Sequence, residues 1–344
     1  MQALVKTAPG AGNLSVLDVP QPRPGPGEAL VRVKRSGLCG TDLLVYDGVY
    51  KGRNRPVPYP LIVGHEASGE IVEIEDATPL AAGARVAIEA LSGCGRCYHC
   101  VRGSYNHCAD WHHLGLTMAG ALGEFAVVPV ASLVALPEEI SLDAAAFLEP
   151  LATAMHTLER VRPAPTTTAA IVGPGPLGLL HFQVLRAAGL GPVVIYGRPG
   201  DEARLARAAA LGAITFVGDA AAIAAHAADI TEGIGFGLSI EAGGTSEAIQ
   251  TALQIAGGRG TLVSLGIVRP TEIDVLQVMR KDLTWMGVVA SVRRHFAEAV
   301  RLLHTRKIDP EDLITHRLPL AGALAGFDAL RARAAVKVMF SLAG

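Results

Sequence analysis

Over the first 150 or so residues, short apolar runs alternate with polar and turn-forming residues: LVRVKRSG, ASGEIVEIE, ARVAIEAL and EFAVVPVASLVALP, separated by Gly and Pro clusters such as PQPRPGPGE. Period-two alternation bounded by turn formers predicts half-buried strands, so this stretch reads as a loop-rich β domain. From Thr168 the texture changes to apolar strand, Gly-rich turn, Ala-rich helix and apolar strand again, in TTAAIVGPGPLGLLHFQVLRAAGLGPVVIY and the helical DEARLARAAALGA. Such βαβ alternation predicts a parallel sheet. It runs on through the strand GFGLSIEAGG, the helix TSEAIQTALQIA, a turn at GGRG and the strand TLVSLGI, ending near TWMGVVAS. The segment RRHFAEAVRLLHTRK then places Phe296, Val300 and Leu303 at helical spacing and leads into a C-terminal strand, VKVMFSL. DAAAFLEPLATAMHTLERV is expected to form one bridging helix, with Glu149 close to the domain junction. No internal repeat or low-complexity linker interrupts the chain.

Length agrees with this two-part texture, because 344 residues at roughly 150 per domain make about two domains. Half the residues are hydrophobic, yet the chain has only 8 Phe, 6 Tyr and 2 Trp. Aliphatic residues and glycine therefore fill the core, and disorder or collagen-like repeats are excluded. Thirty Lys plus Arg against 32 Asp plus Glu leave a formal charge of −2, far from the surplus that binding a nucleic acid requires. The opening MQALVKTAPG has no apolar core of a signal peptide. The uncharged run from Pro163 to Leu185 holds four prolines and a Gly-rich turn, which a membrane helix would not carry. A soluble, cytoplasmic protein without nucleic-acid or membrane partners is expected.

Four of the five cysteines, Cys94, Cys97, Cys100 and Cys108, crowd into CGRCYHCVRGSYNHC. An odd total and this clustering suit metal ligation in a reducing compartment better than disulfides. Four thiolates at such spacing can wrap a tetrahedral zinc ion within one loop spanning 93–109, and a closed four-sulfur shell admits no substrate, so this zinc is structural. His99 and His107 then read as surface residues.

The fifth cysteine, Cys39, lies in GLCGTD; VGHE follows with His65 and Glu66, and FLEP supplies Glu149. One Cys, one His and one or two carboxylates make an open zinc site of the catalytic type. A different chemistry is written in GPGPLG, where Gly173, Gly175 and Gly178, with Pro176 and Leu177 at the helix start, stand between an apolar strand and a helix. This is the context of a dinucleotide turn, in which glycine lets pyrophosphate approach the free N–H groups of the helix N-terminus. The next strand, GPVVIY, ends in Gly197 and Arg198, where NAD specificity would want a carboxylate about 20 residues past the turn. A guanidinium there favours the 2′-phosphate of NADP, and Arg204 is placed to share it. The alternative is that Arg198 is a solvated loop residue and that Asp201 or Glu202 reaches the ribose of NAD.

In this order GLCGTD, VGHE, the four-cysteine lobe, FLEP and GPGPLG resemble the zinc-containing medium-chain dehydrogenases over essentially the whole chain, in particular their polyol, sugar and threonine branch. The resemblance implies a GroES-like β-rich catalytic domain at 1–152, a Rossmann domain with a doubly wound parallel sheet at 153–291, and a return to the catalytic domain at 292–344. It implies two zinc ions per chain, the catalytic one held by Cys39, His65 and Glu66 or Glu149. Thr41 would take the proton from the alcohol, and hydride would pass between the alcohol carbon and the nicotinamide. Homodimers or homotetramers are usual among such proteins. The chain departs from the pattern at Leu44, where many relatives carry a proton-relaying histidine, and Gly197-Arg198 with SVRRHF at 291–296 is similar to NADP-using sugar dehydrogenases.

The resulting expectation is a zinc-dependent oxidoreductase that interconverts a polyhydroxylated alcohol (sugar, polyol or cyclitol) or an amino alcohol and its ketone, with NADP. Its alternatives are an NAD-dependent threonine or amino-alcohol dehydrogenase, and a non-enzymatic zinc-ribbon protein that senses nucleotide. Specificity is expected in the loops Tyr46 to Tyr59 and Trp111 to Leu116.

Overall fold

The computed structural model describes every residue except 51, 54, 75–78, 268–269 and 343–344. The chain divides into two units, one formed by 1–152 with 290–344 and the other by 153–289.

In the first unit the strand Glu28–Gly37 is the hub. Its alternation buries Val31 and Val33, and it pairs antiparallel with Glu66–Ile74, Phe125–Pro129 and Lys337–Ser341. The sheet extends through Arg85–Ile88 and Leu133–Ala135 on one side and Ile314–Pro319 on the other, seven strands in all among the described residues. A smaller sheet joins Leu14–Asp18, Gln2–Lys6 and Leu61–Ile62. Register matters here, since Gly37 faces Glu66 across one ladder and Met339 across the other. A residue from each end of the unit's sequence is thereby brought beside Glu66. Gly37 has to be glycine, because a Cβ at that position would collide with the Glu66 carboxylate and the Lys337 side chain.

The second unit holds a parallel sheet of six strands among the described residues. Across the sheet the strands run Ile214–Val217, Val193–Gly197, Ala169–Val172, Phe236–Glu241, Ala256–Ser264 and Thr284–Gly287. Numbered along the chain, that order is 3-2-1-4-5-6, the doubly wound Rossmann arrangement, in which a nucleotide binds at the carboxyl ends of the strands where the order reverses. The reversal falls between Ala169–Val172 and Phe236–Glu241, and Ala169–Val172 delivers the chain into GPGPLG.

Two local expectations are corrected. DAAAFLEPLATAMHTLERV forms two helices, Leu142–Ala146 and Leu148–Val161, instead of one. Pro150 lacks the N–H that would donate back to Ala146, so a continuous helix loses a bond there. GGRG is not a turn, since it lies inside the strand Ala256–Ser264, where the register shifts between Phe236 and Leu238 and Arg259 takes a φ of 59°. A Cβ at Gly257 would stand 2.6 Å from the Ile234 carbonyl oxygen, so the glycines serve close approach between strands.

Candidate metal centres and dinucleotide turn

The four-cysteine lobe is built from short pieces of backbone. Cys97 caps the one-turn helix Tyr98–Val101, and a 3-10 turn, Tyr105–His107, swings the chain back to Cys108. All four sulfurs lie within 4.8 Å of one another, with Cys94 Sγ 3.9 Å from Cys100 Sγ and Cys97 Sγ 3.7 Å from Cys108 Sγ. Zinc–sulfur bonds of about 2.3 Å in a tetrahedron set sulfurs about 3.8 Å apart, so the spacing fits zinc. The electrostatics agree with this. Backbone N–H groups of Arg96 and Cys97 bring the Cys94 thiol down to about 6, while burial and the neighbouring sulfurs push Cys100 up to about 12. Four adjacent thiolates repel, and a divalent cation among them removes the conflict. His99 and His107 lie with ring centroids 5.7 Å apart and neither belongs to the sulfur group.

The second centre is gathered from separate segments. Cys39 is the N-cap of the helix Gly40–Tyr46, and His65 and Glu66 lie at the start of the strand Glu66–Ile74. One ligand atom each of Cys39, His65 and Glu66 falls within a 4.8 Å group. Glu149 is not in that group, although it feels the charges of His65 and Glu66. Burial pushes the Glu149 carboxyl up to about 7, with Glu66 adding to the effect and His65 opposing it. Thr41 Oγ1 lies 3.7 Å from Cys39 Sγ. Burial alone would depress His65, but the Asp42 carboxylate and the Cys39 sulfur more than offset it and hold its pKa well above the ordinary histidine value. A place that stabilises positive charge on a buried imidazole is a place that suits a cation, and a thiolate, an imidazole and a carboxylate form a zinc donor set.

Two residues absent from the sequence expectations organise this centre. Asp42, 1% exposed, accepts the Cys39 N–H at 3.0 Å and the Gly64 N–H at 3.2 Å, and it faces His65 Nδ1 at 3.4 Å. That last contact is electrostatic, because Nδ1 has no aligned hydrogen-bond partner. The signal for Asp42 was the carboxylate three residues after Cys39, at the position where a capping side chain reaches back to the helix start. Lys337, also buried, donates to Glu66 Oε2 and to the Leu38 carbonyl at 3.2 Å. His113 is a third addition: burial, with His65 next in effect, pushes it down to about 3, and its Nδ1–H donates to the Leu114 carbonyl at 2.8 Å.

In the second unit, Gly173 takes a φ of 115°, and a Cβ there would stand 2.7 Å from the Gly243 nitrogen. Gly175 is the N-cap and Pro176 the first residue of the helix Pro176–Ala187, so no side chain occupies the first-turn N–H groups. Gly178 packs onto the Gly173 carbonyl with no room for a Cβ. Leu177 follows Pro176 in the first turn and its carbonyl accepts from His181 Nδ1 at 2.7 Å. Across the reversal, the buried Glu241 accepts the N–H groups of Gly244 at 2.5 Å and Gly266 at 3.1 Å, joining two loops that follow neighbouring strands. At the end of the next strand Arg198 is exposed. Asp201 accepts the Arg198 N–H at 3.2 Å and Glu202 accepts the Gly200 N–H at 3.1 Å, so both carboxylates fold back onto their own turn. Gly197 is buried, and a Cβ there would meet Leu205 at 3.0 Å and Asp201 at 3.1 Å. Arg204 lies half-buried within the helix Glu202–Ala210.

A Rossmann unit joined to a β-rich unit that gathers thiolate, imidazole and carboxylate defines the class of nucleotide-dependent zinc oxidoreductases. The alcohol dehydrogenase GroES-like domain matches residues 25–138 and the zinc-binding dehydrogenase family matches residues 176–305. The chain is 31% identical to a sorbitol dehydrogenase of Halalkalibacterium halodurans and 33% identical to an L-threonine 3-dehydrogenase of Pyrococcus horikoshii, over 99% of each chain in both cases. The solved structure of 2R,3R-butanediol dehydrogenase from Bacillus subtilis is similar across 99% of each chain, with 28% identity and a TM-score of 0.86. The chain belongs to the zinc-containing medium-chain dehydrogenase superfamily, in its polyol and threonine branch, and is an NAD(P)-dependent alcohol dehydrogenase. No helix among the described residues is long and apolar enough to cross a membrane.

Proposed function

We propose that this enzyme oxidises a polyhydroxylated alcohol (a sugar, polyol or cyclitol) or an amino alcohol, with NADP as the preferred hydride acceptor, and reduces the matching ketone in reverse. The observation that carries the reaction is the grouping of Cys39, His65 and Glu66 donor atoms within 4.8 Å beside the Thr41 hydroxyl. Those three residues would hold the catalytic zinc, with the Glu149 carboxylate as a nearby fourth candidate, and Cys94, Cys97, Cys100 and Cys108 would hold the structural one. Zinc supplies Lewis acidity toward an alcohol oxygen, and the dinucleotide supplies the hydride acceptor. Asp42 fixes the Cys39 backbone and faces the His65 ring, Lys337 orients Glu66, and Thr41 accepts the hydroxyl proton. Leu44 offers no onward relay, so a ribose hydroxyl with water, or Glu66, Glu149 or a substrate hydroxyl, takes the proton from there. A homodimer or homotetramer in the cytoplasm accords with the branch and with five thiols free of disulfides.

Arg198 supports NADP. It is exposed beside the end of its strand, while the carboxylates that would serve an NAD ribose, Asp201 and Glu202, are spent on their own turn. Charge-assisted hydrogen bonds are worth roughly 1.5–3 kcal/mol, so Arg198→Ala is expected to lower kcat/KM with NADP by about one to two orders of magnitude and to leave NAD nearly unchanged. The test is a panel of polyols, sugars, cyclitols and amino alcohols assayed with both dinucleotides by absorbance of the reduced nicotinamide. A higher kcat/KM with NAD in the unaltered enzyme defeats the cofactor reading, and the threonine-type, NAD-dependent activity then takes its place.

A further inference from the structure

A line of ring contacts runs outward from His65. The rings of His65 and His113 meet edge to face with centroids 5.1 Å apart, and His113 meets Trp111 in the same way at 5.5 Å. The Arg53 guanidinium lies over the Trp111 indole, 5.8 Å from its centroid. Arg53 Nη1 donates to the Asn106 carbonyl at 2.8 Å, which fixes the planar fork and, among the described residues, leaves its other N–H groups available. Arg53 therefore stands at the outer end of the aromatic wall that begins at the candidate metal ligand.

Its charge is the unusual part. Arg55 is paired with Asp110, and Arg331, which covers the Tyr46 ring, is paired with Asp47. Among the described residues no carboxylate pairs with Arg53. Beneath it, Trp111 is 4% exposed and its indole N–H has no hydrogen-bond partner among the described residues, although buried donors are almost always satisfied. Tyr50 is half-buried, and burial raises its phenol pKa against the smaller opposing charges of His65 and Arg53, which lie within electrostatic reach of it. An unpaired cation and an orphaned indole N–H at the outer end of one line of contacts from a candidate ligand call for the same complement, a group rich in acceptor oxygens and negative in charge.

We propose that Arg53, seated on Trp111, is a specificity-determining residue that binds an anionic group, a carboxylate or a phosphate, carried by the alcohol substrate. The proposal rests on the dehydrogenase reading and narrows it: sugar or polyol phosphates and hydroxy or amino acids are favoured over neutral polyols. A neutral polyol would leave the guanidinium and the indole N–H to water alone.

The test is a calorimetric titration of the zinc-loaded, full-length protein with glycerol 3-phosphate and with L-threonine, against glycerol and threoninol, which lack the anion. The phosphate and carboxylate arms separate the two sources of charge. At least one anionic probe is expected to bind the unaltered protein about 10- to 100-fold more tightly than its counterpart. Arg53→Gln is expected to erase that advantage without altering the counterpart, and Arg53→Lys to keep part of it, because a point charge replaces a fork. In turnover the loss appears in KM, with kcat within about twofold. Equal anion affinity in the unaltered protein and in Arg53→Gln overturns the proposal, as does equal affinity of the unaltered protein for the anionic and neutral members of each pair. Arg53-dependent anion binding without oxidation of any alcohol upholds the subsite and defeats the dehydrogenase reading. Oxidation of neutral alcohols with an indifferent Arg53→Gln does the reverse.

Discussion

The two metal-ligand clusters of the first unit are made of similar donors by opposite means. The lobe at Cys94 to Cys108 takes its four sulfurs from consecutive turns of one short segment, whereas the Cys39 centre draws on a helix cap, a strand start and supporting residues from distant parts of the chain. In the lobe the sulfurs hang on short backbone turns packed against Leu91 and Trp111, and on the proposed reading a zinc ion would supply most of what holds the four thiolates together. At the Cys39 centre the scaffold exists independently: Asp42 bonds to backbone N–H groups on both sides of the gap, and Lys337 neutralises Glu66. On the proposed reading, one site would depend on its metal for structure, and the other is shaped in advance to receive one.

The comparison breaks most visibly at Cys108, which is buried against Leu91 and Trp111. Structural zinc contributes apparent binding energy on the order of 10 kcal/mol, so Cys108→Ser is expected to remove most of the soluble, folded protein along with one zinc ion. Soluble yield, zinc content and thermal melting measure this together. A well-folded variant that has lost the lobe's zinc would show that the lobe is not held by its ion.

That contrast also sets what the sequence could show. The lobe was legible because all its ligands fall in one window and their chemistry needs no partner from elsewhere. Cys39, His65 and Glu66 were legible as residue types, but the device that supports them was not. Glu66 and Lys337 are 271 residues apart, and only the antiparallel register at Gly37 brings them together. The trace of it was a lysine in the apolar strand VKVMFSL, a charge where alternation wants an inward side chain. The Rossmann unit was legible as strand and helix texture, while GGRG failed because the glycines answered to a neighbouring strand and not to a turn. His113 was hidden for a similar reason, since its proximity to His65 is wholly tertiary.

The next break concerns the assembled centre. Cys39→Ala removes a candidate ligand while keeping the bond from the Cys39 backbone N–H to the Asp42 carboxylate. Lewis-acid catalysis by zinc is worth several kcal/mol, so turnover is expected to fall by more than about a thousandfold with melting temperature and dinucleotide binding nearly unchanged. The fluorescence of bound reduced nicotinamide reports the binding, and the GPGPLG turn proposed to carry it belongs to the other unit. Near-normal turnover in this variant sinks the zinc mechanism. Loss of fold on the scale of Cys108→Ser erases the distinction between the two clusters.

The smallest effect sharpens the comparison by asking how the lobe is fastened to its unit. Tyr105, inside the lobe, donates its phenol proton to the buried Glu89, and the Arg293 N–H donates to the same phenol oxygen at 2.5 Å. Burial pushes the Glu89 carboxyl up to about 7, and the Tyr105 hydrogen bond works against that rise, followed by the charge of Arg293. With the folded value above the unfolded one, the unfolded chain releases its proton first, so this group's contribution to stability declines as pH rises from about 4.5 to about 7 and is level above that. Tyr105→Phe deletes an opposing influence and moves the folded value higher, which prolongs the decline past 7. The variant is therefore expected to be less stable by about 1 kcal/mol at pH 6, the ordinary worth of one hydrogen bond, and by roughly a further 1 kcal/mol at pH 8.5, as the ionised carboxylate loses its donor. Urea unfolding at the two pH values measures both deficits. A deficit independent of pH would mean that Glu89 is already ionised at pH 6 and that the lobe is fastened by packing against Leu91 and Trp111 instead of by this buried acid.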